Sequence, residues 1–395
     1  MLCVYHIAKL TMPDLLLCIQ FHQPIRLRRY TVFDTGEDYF DLIATADFTR
    51  TAAKQTYLPL LSLLTAMAKK HRSKFTVSLS LTGPTLTNLS LYAPEVLEAI
   101  GVLAAKSTVS LAASSSHHTV AVLDHPQEFC AQVATYREVL HRTLGVTTTM
   151  LVTPDLIHTD SLNGAVAGSG ITSVLIPSSA GGWPRLTGPA GSLKEIPIDL
   201  GRSAALAGNL AGSQHQTELS AELTASDGSR AMFIAAEDLV NSDAPMGARF
   251  AHFESFVAAY VKRGGRFVSA GDLAPAAEIG AGYESTVLRS GRLPTGDLTH
   301  VLGNTMQSNA LNTWAKLGAR LGVLVGATAK GAPPRAVLEA WRHLGSIDHL
   351  SAMSTLPLQA AAGSTETGGS IYDSPYDAYI NYMNVLDSLG TRLAK

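Results

Sequence analysis

The sequence predicts an α/β protein built on a parallel sheet, followed by a helical region. From residue 15 to residue 273, short apolar runs of strand length alternate with stretches of helical periodicity. This alternation is typical of strand–helix–strand units. Beyond about Asp297 the apolar residues keep helical spacing. The 395 residues are 46% hydrophobic and only 16% charged, so a sizeable core is possible.

The first predicted strand is the apolar run 15–21, which is too short for a typical helix and is stopped by Pro24. His22 and Gln23 follow it directly. Because α/β barrels bind their ligands at the carboxyl ends of parallel strands, we expect this pair to face a cleft. For His22 the alternative is a histidine buried in the core or in a loop.

The remaining elements of the α/β region follow in alternation after a long loop. The predicted strands cover residues 75–81, 109–112, 149–152, 171–176, 231–235 and 266–269. The predicted helices cover residues 57–70, 94–104, 126–144, 161–167 and 250–263. Pro94 in a first helical turn and Gly145 just after a helix end support two of these helices.

Two stretches interrupt this alternation. Residues 178–229 are rich in Gly, Ser, Ala and Thr, which predicts an excursion of short strands or an irregular loop. Residues 274–282 are rich in Gly and Ala, which indicates a domain boundary. We therefore expect an N-terminal extension over 1–13, an α/β domain over 14–280 and a helical domain over 297–395, with helices at 309–325, 334–345 and 370–393.

Composition argues against several function classes. The formal net charge is −2 and no basic stripe is present, so we expect no nucleic-acid partner. No run reaches about 18 apolar residues, so no membrane span is expected. The first residues lack the features of a signal peptide. The three cysteines lack metal or redox spacing, and their odd number favours a reducing compartment, which predicts a cytoplasmic protein.

No motif in the chain points to a cofactor or a metal. Neither a phosphate-binding Gly-rich loop nor a dinucleotide fingerprint is present. His117 and His118 lie near Asp124 and His125, but no partner set at ligand spacing accompanies them. We therefore expect no cofactor and no metal, and the sequence leaves the oligomeric state open.

Carboxylates follow several of the predicted strands. Sugar hydrolysis needs two carboxyl groups across one glycosidic bond, and in retaining enzymes they lie about 5–5.5 Å apart. A barrel supplies such pairs from the ends of different strands. The carboxylates in question here are Asp155, Asp160, Glu237 and Asp238.

Three separated motifs give a more specific expectation. They are His-Gln-Pro with the following loop (22–34), Leu-Tyr-Ala-Pro-Glu-Val-Leu (91–97) and the Tyr-rich tail 372–386. In this order they resemble glycoside hydrolase family 57, the α-amylase-like family that acts on α-glucans. The resemblance extends over nearly the whole chain. It implies a parallel seven-stranded (β/α) barrel with a C-terminal helical bundle, and an α-glucan or maltooligosaccharide as the partner.

The resemblance also implies that the catalytic positions are altered. The family nucleophile, a Glu, corresponds to Asp155, which is shorter by one methylene. The family general acid, an Asp, corresponds to Ala235, which cannot give a proton. A further family Glu near the third strand end corresponds to Ala113, whereas Glu237 matches the last residue of the family's Asp-Tyr-Glu stretch.

These departures leave three interpretations of the function. In the first, Asp155 is a shortened nucleophile and Glu237 or Asp238 a relocated acid of an active retaining α-glucan hydrolase or glucanotransferase. In the second, Asp155 caps a helix, and the protein binds α-glucan or regulates another enzyme. A 1 Å misplacement can cost ~100-fold in rate, and a missing acid ~100- to 10,000-fold, so we favour lost or much reduced catalysis. The third is a structural remnant without sugar affinity.

The resemblance further implies a set of polar residues that face the substrate. Trp183 and Trp314 are candidates for stacking on a sugar ring, with burial as the alternative for each. The expected substrate-binding residues are His22, Gln23, His117, Asp348, His349, Asn304 and Gln307.

Overall fold

A computed structural model describes most of the chain. The described residues are 14–178, 184–187, 191–209, 218–223, 230–239, 246–273, 297–324, 333–356 and 372–393. The expected extension over 1–13 and the expected boundary over 274–282 lie outside them, as does Trp183.

Seven parallel strands form a nearly closed barrel. Their order is β3–β2–β1–β8–β7–β5–β4, and a parallel bridge between Ala113 and Leu151 brings β4 back to β3. Two short strands lie off this path: β6 pairs antiparallel with β7, and β9 pairs with the start of β1. The strands are β1 (Asp14–Phe21), β2 (Val77–Leu81), β3 (Val109–Ala112), β4 (Met150–Leu151), β5 (Ser173–Ser178), β6 (Arg185–Thr187), β7 (Leu193–Asp199), β8 (Arg230–Ala235) and β9 (Arg266–Phe267).

Helices surround the barrel and make up most of the described chain after residue 297. A π-helical turn, Ala53–Tyr57, joins the first two. The α-helices are α1 (Leu42–Ala52), α2 (Leu58–His71), α3 (Gly83–Tyr92), α4 (Pro94–Ala105), α5 (Pro126–Leu144), α6 (Asp160–Ala167), α7 (Leu200–Asn209), α8 (Met246–Lys262), α9 (Thr299–Leu302), α10 (Thr305–Arg320), α11 (Arg335–Leu344), α12 (Ile347–Ser351) and α13 (Pro375–Arg392).

Strand alternation divides the core into two clusters. Leu16 and Cys18 pack inside the barrel, and Leu15 and Leu17 pack on its outside against the helices. Successive side chains of a strand point to opposite faces, so the inward face of β1 continues through residue 20. The side chain of His22 lies at the end of this inward series, at the mouth of the barrel.

The prediction for residues 178–229 missed a full barrel strand, β7. Polar residues conceal it, because Lys194 and Glu195 break the apolar run expected of a buried strand. Both side chains are engaged: Lys194 Nζ donates to the carbonyl oxygens of Ala270 and Leu273, at 2.9 and 2.7 Å. The predicted strand 266–269 is instead the short β9, which is not one of the seven barrel strands.

The predicted long loop after β1 contains a helix. Asp41 caps α1 by accepting a hydrogen bond from the backbone N–H of Ala44 at 2.8 Å. A second missed helix, α3, follows β2 directly and begins at Gly83. A side chain is excluded there, because a Cβ on Gly83 would lie 2.1 Å from the carbonyl oxygen of Ser116.

The C-terminal helices dock against the mouth of the barrel. The backbone of the segment after β3 pairs with the start of α12: Val120 N–H donates to Gly345 O at 2.7 Å, and Ile347 N–H donates to His118 O at 2.9 Å. Farther along, the backbone N–H of Tyr30 donates to Asn381 Oδ1 on α13 at 2.6 Å. Among the described residues, no helix is long and apolar enough to cross a membrane.

Candidate functional site

Side chains from several strand ends meet at the carboxyl end of the barrel. His22 follows β1, His117 follows β3, Asp155 follows β4 and Ala235 ends β8. The site is assembled from these strand ends and from α9 and α12, which lie far away in sequence.

His22 joins the barrel to the helical region. Its Nδ1 lies 2.9 Å from Thr82 Oγ1, and its Nε2 lies 2.7 Å from Asp348 Oδ1. Ser346 Oγ donates to the other oxygen of Asp348 at 2.6 Å. Burial by itself raises the pKa of Asp348, but the charge and hydrogen bond of His22, with His118 and Ser346, bring it well below its usual range.

His118 is a site residue that the sequence pattern indicates only weakly. It is 1% exposed, its backbone has a φ of 50°, and its ring centroid lies 4.6 Å from that of His22. Two consecutive histidines after a buried strand mark the place, but the partners of His118 are hundreds of residues away or on other strands. Sequence spacing therefore could not identify its role.

Asp155 lies between two imidazoles. Its Oδ2 is 2.9 Å from His300 Nε2, and its Oδ1 is 3.5 Å from His118 Nε2. The residue is buried and adopts the left-handed conformation, with φ 50° and ψ 25°, which Asp tolerates better than most residues. The helix-capping interpretation was wrong, because α6 begins at Asp160 and Thr159 occupies its N-cap position.

Glu237 lies two residues beyond the end of β8. Tyr57 Oη donates a 2.7 Å hydrogen bond to its Oε1, and the tyrosine ring stacks on Phe21 at 4.3 Å. Burial raises the pKa of Glu237 to about 7, although the hydrogen bond from Tyr57 opposes this. The strand ladder still includes the preceding residue, since Ala236 N–H donates to Gln20 O at 2.8 Å.

His117 belongs to a neighbouring cluster. Its Nδ1 lies 2.8 Å from Ser116 Oγ, its Nε2 lies 3.3 Å from Glu339 Oε2, and its ring is 4.5 Å from that of His343. Burial, followed by the charge of His117, lowers the pKa of His343 to about 3. His117 therefore contacts Glu339 and His343 on α11, whereas the next residue, His118, faces His22 and Asp155.

Gln23 and His349 lie on different sides of the site: the Gln23 side chain hydrogen-bonds to Tyr57, the donor to Glu237, whereas His349 packs among the C-terminal helices. The backbone N–H of Gln23 donates to Thr85 Oγ1 at 2.7 Å, and its side chain is buried. His349 Nε2 lies 3.2 Å from His343 O, and its ring packs 5.3 Å from that of Tyr382. Of the predicted Asp348–His349 pair, only Asp348 faces His22.

Asn304 and Gln307 form a capping box at the start of α10. Asn304 Oδ1 accepts from Gln307 N–H at 3.0 Å, and Gln307 Oε1 accepts from Asn304 N–H at 3.2 Å. Gln307 is fully buried, and its amide nitrogen also donates to His300 O at 2.7 Å. Its structural role is thus to fix the helix that carries His300. Trp314 is fully buried and stacks on Trp341, so its ring is not available to stack on a sugar.

The chain is similar to known proteins in sequence and in overall fold. Residues 16–195 match the sequence profile of glycosyl hydrolase family 57. No curated protein matches the chain.

Several solved structures share the fold. A GH57-type branching enzyme from Pyrococcus horikoshii superposes with a TM-score of 0.67 at 12% identity, over 95% of this chain and 88% of that one. The α-amylase AmyC from Thermotoga maritima gives a TM-score of 0.57 at 10% identity, over 97% and 94%. A 4-α-glucanotransferase from Thermococcus litoralis gives 0.51 at 14% identity, over 67% of this chain but only 41% of that one.

Proposed function

Because residues 16–195 belong to glycosyl hydrolase family 57, we propose that the protein binds α-glucan or maltooligosaccharide at the mouth of its barrel, with lost or much reduced catalysis. The observation that carries the proposal is the state of the two catalytic positions. Asp155 is bracketed by His118 and His300, and Ala235 has no ionisable group. The α-amylase and 4-α-glucanotransferase with the same fold support an α-glucan as the ligand class.

Asp155 is poorly arranged for nucleophilic attack. A retaining nucleophile must bring a carboxylate oxygen to the anomeric carbon. Here both oxygens lie near imidazole nitrogens, on a side chain shorter than the Glu that the family resemblance implies at this position. Since a misplacement of order 1 Å costs ~100-fold in rate, we expect this position alone to lower turnover strongly.

His22 and Asp348 provide polar groups for a sugar. Their side chains are 16% and 17% exposed, so they reach the cleft without being fully solvated. His22 holds Asp348 in place, and the carboxylate oxygens of Asp348 keep further lone pairs that can accept from sugar hydroxyl groups. We propose that this pair contacts the bound glucan.

Calorimetric titration with maltoheptaose, together with a reducing-sugar assay on the same sample, tests the proposal. We expect measurable binding with little release of reducing ends. His22→Ala should weaken binding at least about tenfold, which corresponds to the loss of one good hydrogen bond to a charged pair. His141→Ala, an exposed histidine on α5, is the matched control and should bind as the wild type does. Absence of binding in the wild type would contradict the proposal.

One observation favours a second candidate, an active retaining hydrolase or glucanotransferase. A carboxyl group with a pKa of about 7 is partly protonated at neutral pH, as a general acid must be, and Glu237 has this property. In this alternative Asp155 is the nucleophile and Glu237 the relocated acid. Residue 237 is not on the strand: it begins a 3₁₀ turn two residues beyond the end of β8, so its carboxyl is displaced from position 235 and the sugar has to shift correspondingly. Loss of turnover in Glu237→Gln would favour this candidate.

A further inference from the structure

Three side chains at the barrel mouth converge as metal ligands do. His22, His118 and Asp348 each offer one ligand atom, and the three atoms lie within 4.8 Å of one another. They come from the end of β1, the segment after β3 and α12. A Zn²⁺ ion bound at about 2.0–2.2 Å from nitrogen and oxygen ligands needs such a convergent set.

Each of the three side chains is also held by a second neighbour. Thr82 Oγ1 contacts Nδ1 of His22 at 2.9 Å, which leaves Nε2 directed at the cluster. Ser346 Oγ donates to Oδ2 of Asp348 at 2.6 Å, which leaves Oδ1 directed at the cluster. Metal sites in proteins use such neighbours to fix the orientation and tautomer of their ligands.

His118 completes the set. Its Nε2 lies 3.5 Å from Asp155 Oδ1, so a carboxylate faces that edge of the ring. Among the described residues its buried Nδ1 has no hydrogen-bond partner. An unpartnered nitrogen in a side chain that is 1% exposed is costly unless another group occupies the place.

We propose that His22, His118 and Asp348 bind a first-row divalent cation, with Zn²⁺ as the representative ion. Two imidazoles and one carboxylate form a donor set used by zinc and by non-haem iron. Magnesium is disfavoured, because it prefers oxygen ligands. In this arrangement Asp155 orients a ligand, which gives it a role that does not require attack on a sugar.

The neighbouring cluster of His117, Glu339 and His343 is less suited to an ion. Its carboxylate is 42% exposed and also lies 3.9 Å from Arg342 Nη1. A cation next to a guanidinium is repelled. This cluster therefore serves as the internal control.

Zn²⁺ titration calorimetry of the chelator-treated full chain tests the proposal, and its readout does not depend on any sugar. We expect the wild type to bind Zn²⁺ and not Mg²⁺. Asp348→Asn keeps the shape of the side chain but removes the anionic ligand, and it should weaken Zn²⁺ binding about 100-fold or more. Glu339→Gln, in the neighbouring cluster, should leave this binding unchanged.

A second variant keeps the proposal testable if Asp348→Asn does not fold, which circular dichroism will show. Thr82→Val removes only the group that orients His22 and should weaken Zn²⁺ binding about 10- to 100-fold. The wild type failing to bind Zn²⁺ would overturn the proposal. So would Zn²⁺ binding that is lost in Glu339→Gln but retained in Asp348→Asn.

Discussion

Tyr57 Oη donates a hydrogen bond of 2.7 Å to Glu237 Oε1, across 180 residues of sequence. Tyr57 ends the π-helical turn between α1 and α2, and its ring stacks on Phe21 at the end of β1. The contact therefore fixes a carboxyl group beyond β8 against the first strand. The carboxyl is 4% exposed, so its charge state is coupled to folding.

We expect Glu237 to destabilise the protein as pH rises from about 4.5 to about 7. Its pKa is raised from 4.5 to about 7 in the folded state, so in this interval the unfolded chain has lost the proton that the folded chain retains. Because the unfolded state then binds fewer protons, the free energy of unfolding falls with pH, by about 3 kcal/mol in total.

Urea unfolding of the wild type and of Glu237→Gln at pH 5 and pH 8 measures this effect. The variant has no ionisable group at this position, so its stability relative to the wild type should be higher at pH 8 than at pH 5. An equal difference between the two proteins at both pH values would show that the carboxyl ionises as freely in the folded chain as in the unfolded one.

Tyr57→Phe should raise the pKa of Glu237 further. The hydrogen bond from the tyrosine favours the carboxylate, so its loss leaves burial unopposed by this group. We expect a loss of about 1–3 kcal/mol in the free energy of unfolding at neutral pH, because a buried acceptor loses its donor. Between pH 5 and pH 8 the free energy of unfolding should therefore fall by more in Tyr57→Phe than in the wild type. Tyr376→Phe, an exposed tyrosine on α13, is the matched control.

The barrel was largely predictable because its strands are apolar, whereas the site was only partly so. The run ending at Phe21 and the tail motif identify the scaffold, and the positions of His22, Asp155 and Ala235 at strand ends follow from it. Strand β7 was missed because Lys194 and Glu195 satisfy their polar groups through tertiary contacts that no local pattern reveals.

The contacts between the site residues could not be predicted from the sequence. His118 and His300 carry no spacing signal toward Asp155, since 37 and 145 positions separate them from it. The pairing of β3 with β4 brings His118 to Asp155, and the docking of α9 brings His300 there. The family resemblance predicts that Asn304 and Gln307 face the cleft, but an Asn followed three residues later by a Gln is also the pattern of the capping box that they form.

Gly318→Ala should destabilise the C-terminal helices. A Cβ at this position would lie 2.4 Å from Trp341 Cζ2, within the stacked Trp314–Trp341 pair. Overpacking of this kind costs about 1–3 kcal/mol. Gly164→Ala on α6 is the control, because nothing lies within 4 Å of its added Cβ, and it should be neutral or stabilising. Thermal unfolding of the two variants compares them, and equal midpoints would contradict the close packing around Gly318.

Hydrolysis of starch and maltooligosaccharides by the wild type should be very low or absent. The proton-donor position is Ala235, and the nucleophile position is an Asp155 held by two histidines. Robust turnover that is abolished by Asp155→Ala or by Glu237→Ala would instead show that a relocated carboxylate pair performs the reaction. A reducing-sugar assay on the three proteins decides between these outcomes.

Restoring both carboxyl positions should raise hydrolysis above the wild-type level if the cleft retains its sugar-binding groups. The double variant Ala235→Asp with Asp155→Glu supplies a proton donor at the end of β8 and adds the missing methylene to the nucleophile. The gain is limited by the backbone at position 155, because its φ of 50° suits Asp better than Glu. His118 and His300 also still bracket the carboxylate. Ala235→Asp alone is therefore the informative intermediate. If it binds maltoheptaose as the wild type does but the double variant gains no turnover, the supporting residues around the catalytic positions have also been lost.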